Sequence, residues 1–156
     1  MKRPKDIEYA KWLAQYYLSY RMMTNQEVID KLRKKEISEN IIEECIEFLE
    51  KYKFINDYDY ACRFINDGLK FKKQGERLIR QKLKFKGITD ATLDKAFNEI
   101  EFDKTPVIMK IIEKKNLDIS DYKKKQRLIN YLAGRGYSFD DIQESIDEFT
   151  KQNNDY

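Results

Sequence analysis

The sequence predicts an all-α protein built as three tandem three-helix repeats that stack on one another. Two observations carry this prediction. Apolar residues recur at helical spacing, and the same eight-residue stretch returns three times, as KLRKKEIS at 31–38, KLKFKGIT at 82–89 and YLAGRGYS at 131–138. A third agrees with them: the only prolines are Pro4 and Pro106, so nothing breaks a helix in between.

The first helix of each repeat is read from Ala10, Leu13 and Leu18, which map onto Ala61, Phe64 and Leu69 at an offset of 51. In the third copy, Thr105 is expected to cap and Pro106 to take the first helical position, leading to Ile108, Ile111 and Ile112. Asp57 has the chemistry of a helix N-cap. The second helix is marked by the pairs Val28 and Leu32, Ile79 and Leu83, Leu128 and Leu132, each four residues apart on one face. The octet then supplies a turn. Lys86-Gly87 and Arg135-Gly136 place a cation at the negative end of the helix and a glycine where a left-handed residue is wanted. In the first copy that glycine position holds Glu36. Glu36→Gly is therefore expected to be neutral or stabilising, and Gly87→Glu destabilising. Ser38, Thr89 and Ser138 follow as N-caps of the third helix. Its buried face is Ile42, Ile46 and Leu49 in the first copy, Leu93, Phe97 and Ile100 in the second, Ile142, Ile146 and Phe149 in the third. Ile37, Ile88 and Tyr137 are the apolar residues of the turn. Repeats are expected at 1–56, 57–104 and 105–156, the last with a C-terminal tail. No repeat is large enough to bury its own face, so stacking is expected to supply the core.

Composition narrows the function. Hydrophobic residues make up 41% and charged residues 38%, too apolar for disorder and too charged for a membrane protein. The start, MKRPKDIEYAKW, has no apolar signal region before its acids, so a cytoplasmic protein without a membrane partner is expected. With no histidine and no CxxC pair, neither zinc nor imidazole chemistry is indicated, and Cys45 and Cys62 read as buried thiols. No glycine-rich phosphate loop and no distinct carboxylate pair is present, so neither an enzyme nor a cofactor is expected. The net charge of +3 makes any basic surface a local one.

Three stretches carry a family resemblance: YLSYRMMTNQEVIDKL at 17–32, FINDYDYACRFI at 54–65 and GERLIRQKLKFKGI at 75–88. In their order within three helical repeats they resemble the RecX family, regulators of the bacterial recombinase RecA, over roughly residues 9 to 150. The sequence departs from the family pattern at Asn56, where an acid is usual, and at Lys53, where glycine is common. The resemblance implies an elongated, curved array without enzymatic activity, a monomer. Its partner would be the RecA filament on single-stranded DNA, with the DNA bound directly or through the filament and the recombinase most often inhibited. A helical scaffold or adaptor with no nucleic-acid partner is the alternative reading of the same repeats. An assay of RecA ATPase or strand exchange separates the two.

Charge is polarised within each repeat. From Leu69 to Asp90 lie Lys70, Lys72, Lys73, Arg77, Arg80, Lys82, Lys84 and Lys86 against Glu76 and Asp90. The third helices are acidic: Glu39, Glu43, Glu44, Glu47 and Glu50 in the first repeat, Asp140, Asp141, Glu144, Asp147 and Glu148 in the third. A DNA-reading helix-turn-helix would send those helices toward phosphate, which their charge opposes. The contact candidates are therefore Lys72, Lys73, Arg77, Arg80, Lys82, Lys84 and Lys86, with Arg21, Arg33, Lys35, Arg127 and Arg135 as secondary ones. Arg77, Arg80 and Lys84 form one stripe beside the apolar face, special to the middle repeat, and their replacement by alanine is expected to leave the fold intact. Lys35, Lys86 and Arg135 suit a structural role, since a cation at a helix end is stabilising by itself. Tyrosines offer rings to bases, but Tyr17 and Tyr60 fall on apolar faces and read as core.

Overall fold

The computed structural model describes residues 4–154. Among them are nine helices and no strand: α1 (Ile7–Leu18), α2 (Asn25–Lys34), α3 (Glu39–Lys51), α4 (Asp57–Lys70), α5 (Glu76–Phe85), α6 (Asp90–Glu99), α7 (Thr105–Lys115), α8 (Tyr122–Gly134) and α9 (Phe139–Asn154). They form three three-helix domains in tandem, with α1–α3, α4–α6 and α7–α9 as the successive triplets. None of these helices is long and apolar enough to cross a membrane.

Local chemistry fixes the helix ends. Asp6 opens α1 by accepting from the Tyr9 N–H at 2.9 Å. Thr24 opens α2 with a reciprocal capping box: its hydroxyl accepts from the Glu27 N–H, and the Glu27 carboxylate accepts from the Thr24 N–H. Thr89 and Ser138 cap as expected, accepting from Thr92 and Asp141 at 3.2 and 3.1 Å. Ser38 holds the N-cap position of α3 but makes no side-chain cap bond. Two other expectations are corrected. Asn56, not Asp57, caps α4 by accepting from the Asp59 N–H, and the Asp57 carboxylate accepts from the Asn25 N–H at the start of α2. A carboxylate one residue inside its own helix points past the cap position, free to serve a neighbouring helix. Helix α7 begins at Thr105, so Pro106 sits one position further in, and Asp103 accepts from the Thr105 N–H.

The turns after α2, α5 and α8 share one backbone form. Glu36, Gly87 and Gly136 have φ of 59°, 91° and 97°. In each, an amide three residues past the helix returns to the helix: Ile37, Ile88 and Tyr137 donate to the carbonyls of Leu32, Leu83 and Leu132. Lys53 also takes a left-handed φ of 61°, which explains why glycine suits that position.

Packing divides the described residues into two compact units. The first joins the residues up to Cys62 to Leu83–Ala96, and the second joins Arg63–Lys82 to the residues from Phe97 onward. In the first, α1 packs on α3 around Ala10, Leu13, Val28, Leu32, Ile42 and Leu49. In the second, α7 packs on α9 around Ile108, Ile112, Leu128, Leu132, Ile142 and Ile146. Each such fully buried side chain contributes roughly 1.5–3 kcal/mol. Counting apolar residues overlooks one conserved feature of the repeat. Thirteen residues after Leu32, Leu83 and Leu132 stand the small residues Cys45, Ala96 and Ser145, with no exposed surface at all. A larger side chain there would separate the third helix from its neighbours. Burial pushes the Cys45 thiol up to about 11, the behaviour of a packing residue rather than a nucleophile. Cys62 is half-buried and its thiol is likewise raised by burial.

Candidate functional site

Two helix junctions decide which basic residues are available. In the first unit, the C-terminal end of α5 seats on the N-terminus of α2. The Thr24 hydroxyl donates to the Lys86 carbonyl at 2.7 Å, and Gly87 lies so close that a Cβ there would stand 2.3 Å from the Gln26 Cβ. In the second unit, the end of α8 seats on the start of α5 in the same way. The Gly75 N–H donates to the Arg135 carbonyl at 2.8 Å and the Arg77 N–H to the Gly136 carbonyl at 3.2 Å. A Cβ on Gly136 would stand 2.5 Å from the Leu78 Cβ, and one on Gly75 would meet the Gly136 backbone at 2.2 Å. Both junctions join carbonyl-bearing helix ends to donor-bearing helix starts, which satisfies groups that would otherwise be orphaned.

These junctions and their neighbours engage the basic stripe of the middle repeat. The Arg77 guanidinium donates to the Ala133 carbonyl at 2.7 Å. Arg80 lies 3.7 Å from Glu76 and over the Phe97 ring at 4.7 Å. Lys84 pairs with Asp90 at 3.3 Å. Alanine at Arg77 would therefore remove a junction bond, so the stripe is not detachable from the fold as the sequence suggests. Lys86 approaches Glu27 at 3.9 Å and the Tyr60 ring. Burial raises the Glu27 carboxyl, but its hydrogen bonds from Arg21 and the Thr24 N–H, with the charge of Lys86, hold it below its ordinary value. Lys82 is exposed.

Among the secondary candidates, Arg21 pairs with Glu27 at 2.8 Å, and Arg33 forks onto Glu39 at 2.7 and 3.1 Å. That fork raises the Arg33 guanidinium further and lowers the Glu39 carboxyl. Lys35 and Arg127 are exposed. Tyr17 and Tyr60 are half-buried, whereas Trp12, Tyr16 and Tyr20 stand exposed, Trp12 stacked on Tyr16 on α1 and Tyr20, just past the helix, edge-on to Tyr16.

A different basic region forms inside the second unit. Lys72 and Lys73 from the turn after α4, Lys114 and Lys115 from the last turn of α7, and Arg135 at the end of α8 line one cleft of about 370 Å³ with Ile111 and Tyr131. Arg135 organises it. Its guanidinium donates to the carbonyls of Lys72 and Lys73, holding a turn in which Lys73 takes a left-handed φ of 52°. Lys115 lies over the Tyr131 ring at 3.9 Å, and Lys72 over Phe64 at 5.6 Å. No acid lines the cleft, and none of its five cations has a carboxylate within ion-pair distance among the described residues. Sequence reasoning reached Lys72, Lys73 and Arg135 but missed Lys114, Lys115 and Tyr131. The only available signal was the Lys114-Lys115 pair, which is unremarkable in so charged a chain.

Comparison with known proteins agrees along the whole array. Residues 10–49, 56–96 and 107–146 match the first, second and third three-helix domains of RecX. The chain is 36% identical over 154 residues to the regulatory protein RecX of Clostridium acetobutylicum, covering 94% of this chain and 71% of the relative. It is 35% identical over 143 residues to that of Bacillus subtilis, covering 89% of this chain and 54% of the relative. The chain thus spans about half the length of the Bacillus protein. The crystal structure of RecX from Lactobacillus salivarius superposes with a TM-score of 0.84 at 30% identity, over 93% of this chain and 97% of that one.

Proposed function

This chain belongs to the RecX family, and from that premise we propose that it regulates the recombinase RecA, binding the RecA filament on single-stranded DNA and inhibiting ATP hydrolysis and strand exchange. The observation that carries the reading is the unbroken order of the three RecX domains, at over a third identity to a relative described as a regulatory protein. The distribution of charge supports it. Acids on α3 and α9 and cations in the cleft and on α5 give the protein faces of both signs, suited to a partner that carries its own charged groups beside phosphate. Contact through the cleft and through the exposed Lys82 acts without covalent chemistry: binding alone alters the partner's equilibrium between active and inactive assemblies.

The test is RecA ATPase on single-stranded DNA, titrated with this protein. Hydrolysis should fall as the protein approaches the recombinase in stoichiometry, and the effect should weaken with added salt as exposed charges are screened within roughly 10 Å at 0.1 M. No effect on hydrolysis or strand exchange at stoichiometric ratios would leave the scaffold reading in its place.

A further inference from the structure

We propose that the cleft formed by Lys72, Lys73, Lys114, Lys115, Arg135 and Tyr131 binds the phosphodiester backbone of single-stranded nucleic acid directly, with the Tyr131 ring offered to a base. The inference deepens the proposed function by locating a nucleic-acid site, and it requires no recombinase.

Uncompensated charge is the first ground. Several cations elsewhere are matched to acids, among them Arg21 to Glu27, Arg33 to Glu39, Lys84 to Asp90 and Lys104 to Asp141. Five basic residues line the cleft together, with no acid in the lining. Convergence of this kind is electrostatically unfavourable until an anion enters, so the site is poised for one. Helix-end stabilisation accounts for Lys114 and Lys115, which close α7, but not for Lys72 and Lys73 meeting them across the cleft.

Construction is the second ground. Arg135 spends its guanidinium on two backbone carbonyls, fixing the turn that carries Lys72 and Lys73 rather than leaving two long side chains on a loose loop. Pre-ordering of this sort lowers the entropy cost of binding.

The third ground selects the ligand. An acidic peptide would be served by the cations alone. A polynucleotide strand also uses an aromatic ring beside the phosphate track, and Tyr131 is 43% exposed at the cleft with Lys115 on its ring. The lining residues come from three separated segments and surround a concavity. A flexible single strand bends into such a shape, whereas a duplex presents its phosphates on a convex cylinder.

The experiment uses the full chain and a fluorescein-labelled oligothymidylate, followed by anisotropy across a salt series without recombinase. Three variants are compared with the parent: Lys114→Ala with Lys115→Ala, Tyr131→Leu, and Lys34→Ala with Lys35→Ala as a control on exposed lysines at the end of α2. The cleft pair should reduce the magnitude of the slope of log K against log salt by about 1.4, at roughly 0.7 per phosphate contact on a single strand. Tyr131→Leu should weaken binding at least about fivefold, the low end of what losing a stacked base costs. The control should change neither. The inference is overturned if cleft and control variants bind the oligonucleotide alike, or if the parent does not bind it. Loss of RecA inhibition in the cleft pair with oligonucleotide binding intact also overturns it, and assigns the cleft to an acidic protein surface. Conversely, oligonucleotide binding that depends on the cleft, together with unaffected RecA, sustains this site and sinks the proposed regulation. Both substituted regions are exposed, and matched thermal melts confirm that each variant is folded.

Discussion

The turn after α2 and the turns after α5 and α8 trace the same left-handed path, yet the first carries Glu36 and the others Gly87 and Gly136. Backbone strain alone does not explain the difference, since it applies to all three. What differs is the surroundings. Gly87 and Gly136 press against the start of the second helix of the preceding repeat, where a Cβ would overlap Gln26 or Leu78. Glu36 belongs to the first of the three repeats and does not press on a neighbouring helix in this way. Its side chain is 86% exposed and reaches Lys5 at 3.4 Å. In this array glycine is required by the junction between repeats more than by the turn itself.

The largest test of that comparison is Gly136→Ala. Its Cβ would stand 2.7 Å from the Leu78 backbone nitrogen and 3.0 Å from the Gly75 carbonyl oxygen, groups with little room to move. Left-handed strain of about 1–2 kcal/mol adds to overpacking of about 1–3 kcal/mol. A loss of roughly 2–5 kcal/mol in a chemical denaturation experiment is expected. Gly87→Glu should follow at the lower part of that range, because the obstructing atoms belong to the Gln26 side chain, which can partly yield. Equal and small effects at both positions would show that the junctions are loose and that the comparison rests on φ alone.

A smaller effect is expected from Thr24→Val, which keeps the shape of a residue with no exposed surface and removes its hydroxyl. That hydroxyl caps α2 and also bonds the Lys86 carbonyl. Loss of the cap costs roughly 1 kcal/mol, and an unpaired buried carbonyl roughly 1–3 kcal/mol. The equivalent position in the next repeat is Gly75, where a backbone N–H bonds the Arg135 carbonyl instead. The junction keeps its acceptor and changes its donor, so a stability loss confined to the cap value would indicate that the Lys86 carbonyl finds water.

The helices and most of their buried positions were legible in the sequence because each depends on spacing within about twenty residues, and the repeat because that pattern returns, first at an offset of 51. Val28, Leu32, Ile42 and their counterparts are buried as the pattern requires. The junctions were not legible. Thr24 and Lys86, or Gly75 and Arg135, lie about sixty residues apart and carry no apolar signature. Asp57 was misread for the same reason: its cap is real but serves α2. The cleft was half legible. Lys72, Lys73 and Arg135 stood out by charge, while Lys114, Lys115 and Tyr131 join them only when α7 and α8 fold back. The stripe of Arg77, Arg80 and Lys84 was the converse case, conspicuous in sequence and occupied by partners in the structure.

Glu36→Gly should give the smallest change and the sharpest comparison. Relief of a non-glycine residue at φ 59° is worth about 1–2 kcal/mol. Against it stand the extra unfolded-state freedom of glycine, about 0.5–1 kcal/mol, and the pair with Lys5, worth about 0–1 kcal/mol at such exposure. The terms nearly offset, so the midpoint of unfolding should stay put or rise slightly. The same glycine relieves strain at position 36 and is indispensable at 87 and 136 only if the neighbouring repeat makes the difference. A substantial loss of stability in Glu36→Gly would mean that the glutamate supports the turn by a contact of its own. The glycine requirement would then belong to each turn separately rather than to the stacking of repeats.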